Sequence, residues 1–374
     1  MATAKVPFRY ITPNKGRATD YEELTLHSQW SPQNFAKQGW FNYDRRGKPT
    51  WDEDSTRLRC VTTPKAESWW YSASSVTNTA GPTRVLDEVI AQASRESQSG
   101  WWGYRDPSQQ WFRTYVELQS GQESMIELAT QGAQRLGLYQ RVARSWMSFL
   151  GTYYAAYRYA EYGMFMALCY AQREALADVV ANPILFQAVD KERHAQDIAL
   201  HCMALEETVG DFSDSSSMDI WMHDPIYQPI RRYVELLLAC RDWAEILVAV
   251  NLCFEPLVGK LFTNFLFARQ ACAFGDPVTP LVAETVGADR QRSADATGEL
   301  ARFVIANRPD NRPILQEWLE RWMPLADTAA AGLQTLAQPP HEDSASFQTE
   351  LERLRSERAR FIKSLGLEAG GEGQ

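Results

Sequence analysis

The chain is 374 residues long, and 45% of its residues are hydrophobic and 23% charged. This ordinary globular balance excludes a wholly disordered chain, because the apolar side chains are numerous enough to offset the entropy of ordering. The formal net charge of -9 argues against a nucleic-acid-binding protein, which needs a basic surface for phosphates.

Residues 1–80 are rich in Pro, Gly, Thr, Trp and Tyr and show little helical periodicity. Such a segment is either an extended arm that lies on another surface or a disordered tail. We favour an N-terminal arm, because disordered tails are poor in aromatic residues. The start of the chain lacks the apolar core of a signal peptide, so we expect a cytoplasmic protein. The candidate anchors of the arm at a partner interface are its tryptophans Trp30, Trp40, Trp51, Trp69 and Trp70.

From about residue 83 onward, apolar residues recur at spacings of three and four, which predicts helices. The predicted helices are Thr83–Glu96, Ser108–Gln119, Gln122–Phe149, Tyr153–Val180, Pro183–Thr208, Pro225–Cys240, Asp242–Phe274, 277–306, Asn311–Leu336 and Ser344–Leu365. Pro183 is expected in a first helical turn, and Pro256 is expected to kink its helix. We expect residues 81–340 to form the core and residues 341–374 to form a C-terminal helix with a flexible tail.

The stretch from Leu236 to Phe267 is apolar nearly all round, which is typical of a central helix in a bundle. Its most apolar run, residues 244–259, falls short of the roughly 18 to 20 residues that a membrane span needs. We therefore predict an all-α protein without a membrane segment, in which a four-helix core carries extra helices around it.

An all-α bundle of this kind can carry a carboxylate-bridged di-iron site. Such a site takes a Glu from each of two helices and a Glu-x-x-His motif from each of the other two. The chain has five histidines, and none follows a Glu at this spacing. The nearest candidate is His194, where the residue three positions earlier is Lys191. On spacing alone, His194 is interpreted as a packed or surface histidine.

Three local features, taken in order and spacing, resemble the hydroxylase subunits of bacterial multicomponent monooxygenases, which include the soluble methane, propane, alkene, phenol and toluene monooxygenases. The features are YRDP at 104–107 with WFRTY at 111–115, DKERH at 190–194, and the series NL at 251–252, FTN at 262–264, GD at 275–276 and DRQRS at 289–293. The resemblance covers residues 100–335 and implies a ferritin-like (ribonucleotide-reductase-like) helical bundle. The segment FRYITPNKGRATDYEELTL also resembles the N-terminal arms of the propane and alkene branches.

In this family the α subunit carries the di-iron centre, and the β subunit has the same core without it. The Glu of the first ligand helix in the α pattern matches Glu161. The Glu-x-x-His of the second helix becomes Lys191 and His194, and the Glu of the third helix falls at Val258 or Gly259. On the fourth helix the Glu and His are replaced by residues Arg290 and Ser293.

Only Glu161 and His194 of the six ligands survive, and a Lys and an Arg have replaced two others. Two ligands beside two cations cannot hold a pair of divalent metal ions. The resemblance therefore implies a β subunit with no catalytic or metal-binding residues of its own. The vestigial ligand positions are Glu161, Lys191, His194, Gly259, Arg290 and Ser293. We expect Glu161 to pair with Lys191 or Arg290 in the interior, the alternative being that these side chains point outward to solvent.

The resemblance also implies a function and partners. This chain would scaffold an iron-bearing α subunit in an α2β2 or α2β2γ2 hydroxylase, with non-haem di-iron in that partner and no cofactor on this chain. Such an enzyme inserts one oxygen atom of O2 into a hydrocarbon, using electrons from an NADH-dependent reductase and a coupling protein. Two alternatives stay open at this point: a stand-alone ferritin-like metalloenzyme with an atypical site, and a helical scaffold unrelated to oxygenases.

Overall fold

The computed structural model describes residues 104–110, 112–175, 178–240, 242–307, 309, 311–337 and 344–368. Within these ranges the regular structure is helical, without a strand. The five tryptophan anchors and the predicted helix Thr83–Glu96 lie outside the described residues.

The helices follow one another along the chain with short connections. Their bounds are α1 Phe112–Arg135; α2, made of the consecutive segments Arg144–Phe149, Leu150–Tyr154 and Ala155–Glu174; α3 Asp178–Thr208; α4 Ser217–His223; α5 Gln228–Ala239; α6 Trp243–Ala273; α7 Thr279–Asn307; α8 Asn311–Gly332; and α9 Ser344–Ser364. Short 3-10 turns lie at Tyr139–Arg141 and Leu333–Leu336.

Helix α6 lies at the centre of the bundle. Nearly all of its residues from Trp243 to Phe267 are buried, and it packs against α7 and α8, while α2 packs along α3. By length and composition α6 could cross a membrane, but 89% of its most apolar window is buried inside the protein. The apolar circumference predicted from the sequence therefore belongs to the core helix of a bundle.

Two wide π-helical segments, Val248–Gly259 and Leu261–Arg269, make up most of α6. Pro256, expected to kink this helix, lies inside the first of them. A proline has no N–H to donate, and its ring crowds the carbonyl of the preceding turn in a regular α-helix. This segment carries residues that face the interior of the bundle, so the wider turn affects the directions in which their side chains point.

Several predicted helix ends were wrong. Helix α1 runs on through Gly121, where a break was predicted, because an isolated glycine weakens a helix without ending it. The chain instead turns at Gly137, which has a φ of 62° and is followed by the Leu138 N–H donating to the Ala133 carbonyl. This pairing is the Schellman helix end, in which the left-handed position favours glycine.

Two further boundaries differ from the prediction. No break separates residues 149 and 153, because Leu150–Tyr154 forms a π turn inside α2. Pro183 does not lie in a first turn, since α3 already begins at Asp178. A proline signals that one backbone N–H is missing, but it does not by itself fix where its helix starts.

Candidate functional site: a buried ion-pair network

Four helices bring charged side chains together in the middle of the bundle. Glu161 comes from α2, Lys191 from α3, Glu255 from α6 and Arg290 from α7, and we call these residues the inner layer. Each is at most 6% exposed. Charged side chains are rarely buried to this extent unless they are paired, so the contacts among them decide whether the core is stable.

The Lys191 ammonium lies between two carboxylates of the inner layer. Its Nζ is 2.9 Å from Glu161 Oε2 and 2.6 Å from Glu255 Oε1. The second oxygen of Glu255 accepts a hydrogen bond from Arg290 Nε at 2.5 Å. Arg290 Nη1 in turn donates to Thr263 Oγ1 at 2.9 Å. The expected pairing of Glu161 with Lys191 in the interior is present, and Arg290 pairs with Glu255 instead.

His194 connects the inner layer to a second group of charges. Its Nδ1 is 3.3 Å from Glu161 Oε2, and its Nε2 is 3.2 Å from Asp289 Oδ2. Asp289 also accepts hydrogen bonds from Arg193 Nη2 at 2.6 Å and from Gln119 Nε2 at 2.9 Å. His194 therefore bridges a carboxylate on α2 and a carboxylate on α7.

The rest of this second group lies on α3 and α7. Arg292 Nη2 is 2.5 Å from Asp190 Oδ2 and 2.8 Å from Asp289 Oδ1. Arg193 Nη1 is 2.5 Å from Asp197 Oδ2, one turn further along α3. We call these residues the outer layer, and its members are Asp190, Arg193, His194, Asp197, Asp289 and Arg292.

The charges balance within each layer. In the inner layer the carboxylates of Glu161 and Glu255 face the cations of Lys191 and Arg290. In the outer layer three aspartates face two arginines and His194, so the balance is complete when the imidazole is protonated. A buried network of this kind is tolerated because each charge has a partner within contact distance.

The pKa values of Glu161, His194 and Lys191 follow the same pattern. Burial alone would raise the pKa of Glu161, but Lys191 and His194 outweigh it, and the pKa lies well below its usual range. Burial alone would lower the pKa of His194, but the hydrogen bonds to Asp289 and Glu161 raise it above its usual value. The pKa of Lys191 is likewise raised, since Glu161 and Glu255 outweigh burial. These directions favour the charged forms of all three groups.

The remaining vestigial ligand positions lie in different surroundings. A Cβ on Gly259 would lie 2.3 Å from Glu255 Oε2 and 3.1 Å from Arg290 Nη2. The inner layer therefore packs against this glycine and leaves no room for a larger side chain. Ser293 is buried and lines a cavity with Tyr104 and Gln187. The structure thus brings together five of the six positions and leaves Ser293 beside them.

Sequence reasoning missed Glu255 as a member of the site. It located the third-helix position at Val258 or Gly259, whereas the carboxylate that reaches the centre starts one turn earlier. It also missed the aspartates of the outer layer, although Asp190 and Asp289 stand inside the quoted motifs. The spacing of Asp190, Arg193 and Asp197 on one stripe of α3 was the signal that could have found them.

The donor set does not fit a di-iron centre. The Lys191 ammonium lies between the two carboxylates and the Arg290 guanidinium contacts one of them, so fixed cations take positions that a metal ion would need. Over the described ranges, no group of three or more His, Cys, Asp or Glu side chains is arranged to hold a metal ion. What these residues do is electrostatic: each buried charge is neutralised by a neighbouring charge of opposite sign.

The sequence of this chain is similar to those of known proteins. A family model described as methane/phenol/alkene hydroxylase matches residues 89–308. The small subunit of the propane 2-monooxygenase hydroxylase component from Gordonia sp. (strain TY-5) is 28% identical, over 96% of this chain and 89% of its own length. The beta subunit of the toluene-4-monooxygenase hydroxylase component from Ectopseudomonas mendocina is 27% identical, over 77% and 86% respectively.

A solved structure of toluene 4-monooxygenase, with toluene bound in its resting active site, has a TM-score of 0.62 to this chain. It covers 79% of this chain and 90% of its own, at 24% sequence identity, which shows a shared ferritin-like fold. The family model spans more than half of the chain, and these comparisons confirm the resemblance and exclude a scaffold unrelated to oxygenases. The chain belongs to the methane/phenol/alkene hydroxylase family, as a homologue of the small, or beta, subunits of monooxygenase hydroxylase components.

Proposed function

We propose that this chain is the iron-free scaffolding subunit of a cytoplasmic hydrocarbon monooxygenase. Its role is to brace an α subunit that carries a non-haem di-iron centre and performs the oxygen insertion. The observation that carries this proposal is the inner layer, in which Lys191 and Arg290 neutralise Glu161 and Glu255 where a catalytic subunit of this fold holds metal ions.

The assembly proposed is α2β2, with or without a small γ subunit, supplied with electrons by an NADH-dependent reductase and regulated by a coupling protein. The long match to the small subunit of a propane 2-monooxygenase hydroxylase supports a small hydrocarbon as the substrate. The substrate pocket then belongs to the α subunit. A stand-alone ferritin-like metalloenzyme is not supported, because the donor set of this chain does not fit a metal centre.

Co-expression tests this proposal directly. The chain, tagged and co-expressed with a hydroxylase large subunit that has two Glu-x-x-His motifs and comes from the same organism, should co-purify in equal amounts. The purified assembly, supplied with reductase, coupling protein and NADH, should oxygenate a short hydrocarbon, and omission of this chain should abolish the activity. A chain that purifies as a stable monomer and leaves the large subunit fully active alone would contradict the scaffolding role.

A further inference from the structure

Three buried polar atoms in or next to the inner layer have no hydrogen-bond partner among the residues that the structure describes. They are Tyr157 Oη, Glu161 Oε1 and Arg290 Nη2. The three residues are 1%, 1% and 6% exposed, so bulk water does not reach these atoms. An unpaired polar atom in such a place costs the full penalty of its desolvation, and buried polar atoms in native proteins nearly always have a partner.

The three side chains lie in the same region of the interior. Tyr157 and Glu161 are one turn apart on α2 and therefore share a face. The Tyr157 ring stacks on Phe262 of α6, with ring centroids 4.2 Å apart. Arg290 reaches the next residue of α6, since its Nη1 donates to Thr263 Oγ1 at 2.9 Å. The charges near Tyr157 are consistent with this placement. Burial raises the pKa of Tyr157, Glu161 raises it further, and Arg290 lowers it.

The chemistry of the three atoms selects the ligand. A guanidinium N–H can only donate, a carboxylate oxygen can only accept, and a phenol can do either. The inner layer already balances two carboxylates against two cations, so an additional ion would disturb the compensation. A small neutral molecule that both donates and accepts satisfies all three atoms, and water is the smallest such molecule.

We propose that one buried water molecule is an integral part of the inner layer. It accepts hydrogen bonds from Arg290 Nη2 and Tyr157 Oη and donates one to Glu161 Oε1. The ion pairs of the inner layer join α3 to α2 and to α6, and α6 to α7. The water adds a link from α2 to α7. This site depends only on the packing of this chain and is independent of the catalytic role of any partner.

A crystal structure of the full chain, in the assembly in which it purifies and at a resolution that shows ordered solvent, tests the proposal. We expect a water peak within about 2.7–3.2 Å of all three atoms. A dry interior would overturn the proposal. So would Tyr157 Oη donating directly to Glu161, because the atoms would then satisfy each other without water.

Thermal unfolding of matched tyrosine variants gives a second test. Removing a hydroxyl that has a partner destabilises a protein, whereas removing one without a partner is neutral or stabilising. The variant Tyr157→Phe should lower the Tm by a few degrees, about as much as Tyr233→Phe. Tyr233 is the control, because its equally buried hydroxyl donates to the Ala249 carbonyl at 2.8 Å. An unchanged or raised Tm for Tyr157→Phe, alongside a lowered Tm for the control, would contradict the water.

Discussion

Lys191 determines how the interior of this bundle is neutralised. Its ammonium lies within 2.9 Å of one carboxylate and 2.6 Å of another, at a depth where an unpaired charge costs several kcal/mol. A lysine is a compact point charge on a flexible stem, so it can lie between two carboxylates. Arg290, with its planar fork, binds Glu255 and Thr263 at once. Together the two cations neutralise the two buried carboxylates of the inner layer.

The substitution Lys191→Met keeps much of the side-chain volume but removes the charge. It leaves Glu161 and Glu255 with too little compensation, so the free energy of unfolding should fall by about 3–5 kcal/mol. The matched control is Lys260→Met, because Lys260 pairs with Glu357 near the surface with 23% of its side chain exposed. There the loss should be about 1 kcal/mol or less. Denaturant unfolding of both variants measures the difference, and equal losses would contradict a special role for Lys191.

His194 makes the stability of the chain depend on pH. Its pKa is raised in the folded protein by Asp289 and Glu161, so the protonated ring stabilises the fold. The contribution is complete below the unfolded pKa of about 6.5 and is lost as the pH rises through the higher folded value. The Tm of the wild type should therefore fall, relative to that of His194→Gln, as the pH rises above about 6.5.

The control for this prediction is His223→Gln. His223 also contacts an aspartate, but its side chain is 72% exposed, so solvent screens the pair. Its Tm profile against pH should parallel that of the wild type. Parallel profiles for His194→Gln as well would show that the bridge between Glu161 and Asp289 is not held by a protonated imidazole.

The helices show which features of the fold were predictable. Helix α6 was predictable because it is apolar all round, and only a central position buries such a helix. The helix ends were not, since Gly121 continues a helix and Gly137 ends one. The two glycines differ in backbone conformation, which the tertiary structure sets. Sequence patterns thus identify the type and existence of long helices better than their boundaries.

The candidate site was predictable only in part, for a similar reason. The pairing of Glu161 with Lys191 could be expected once the ligand helices were recognised, because an unpaired buried carboxylate is costly. The role of Glu255 could not, because the wide turns of α6 change which residues face the centre. The contacts of Arg193 and Arg292 with Asp289 depend on the relative rotation of α3 and α7, which no local pattern encodes.

Gly259 is required by the close approach of α6 to the inner layer. In Gly259→Ala the new Cβ would lie 2.3 Å from Glu255 Oε2, so this carboxylate must move. We expect a loss of about 1–3 kcal/mol in the free energy of unfolding, as for other overpacked cores. The matched control is Gly287→Ala on α7, where a Cβ meets nothing within 4 Å. That variant should be neutral or more stable by up to about 1 kcal/mol, since alanine is the better helix former. Equal effects at both sites would contradict the close packing at Gly259.

For the whole molecule, the shared helical fold is what links this chain to its family. The chain keeps the helical bundle of the hydroxylase family, and its interior carries paired charged side chains from four helices. A bundle whose interior charges all belong to its own paired side chains can complete its core without a bound ion. Such a subunit can contribute stability and shape to an assembly whose chemistry takes place in another chain.

The most direct test of this account is the iron content of the assembled hydroxylase when this chain alone is altered. Metal analysis should compare the wild-type assembly with assemblies that carry Glu161→Gln or His194→Gln in this chain. We predict the same iron per assembly in all three, with the Tm lowered in the variants, because both side chains belong to the ion-pair network. A loss of iron in proportion to the altered chain would show that Glu161 and His194 hold metal, and would contradict an iron-free interior for this chain.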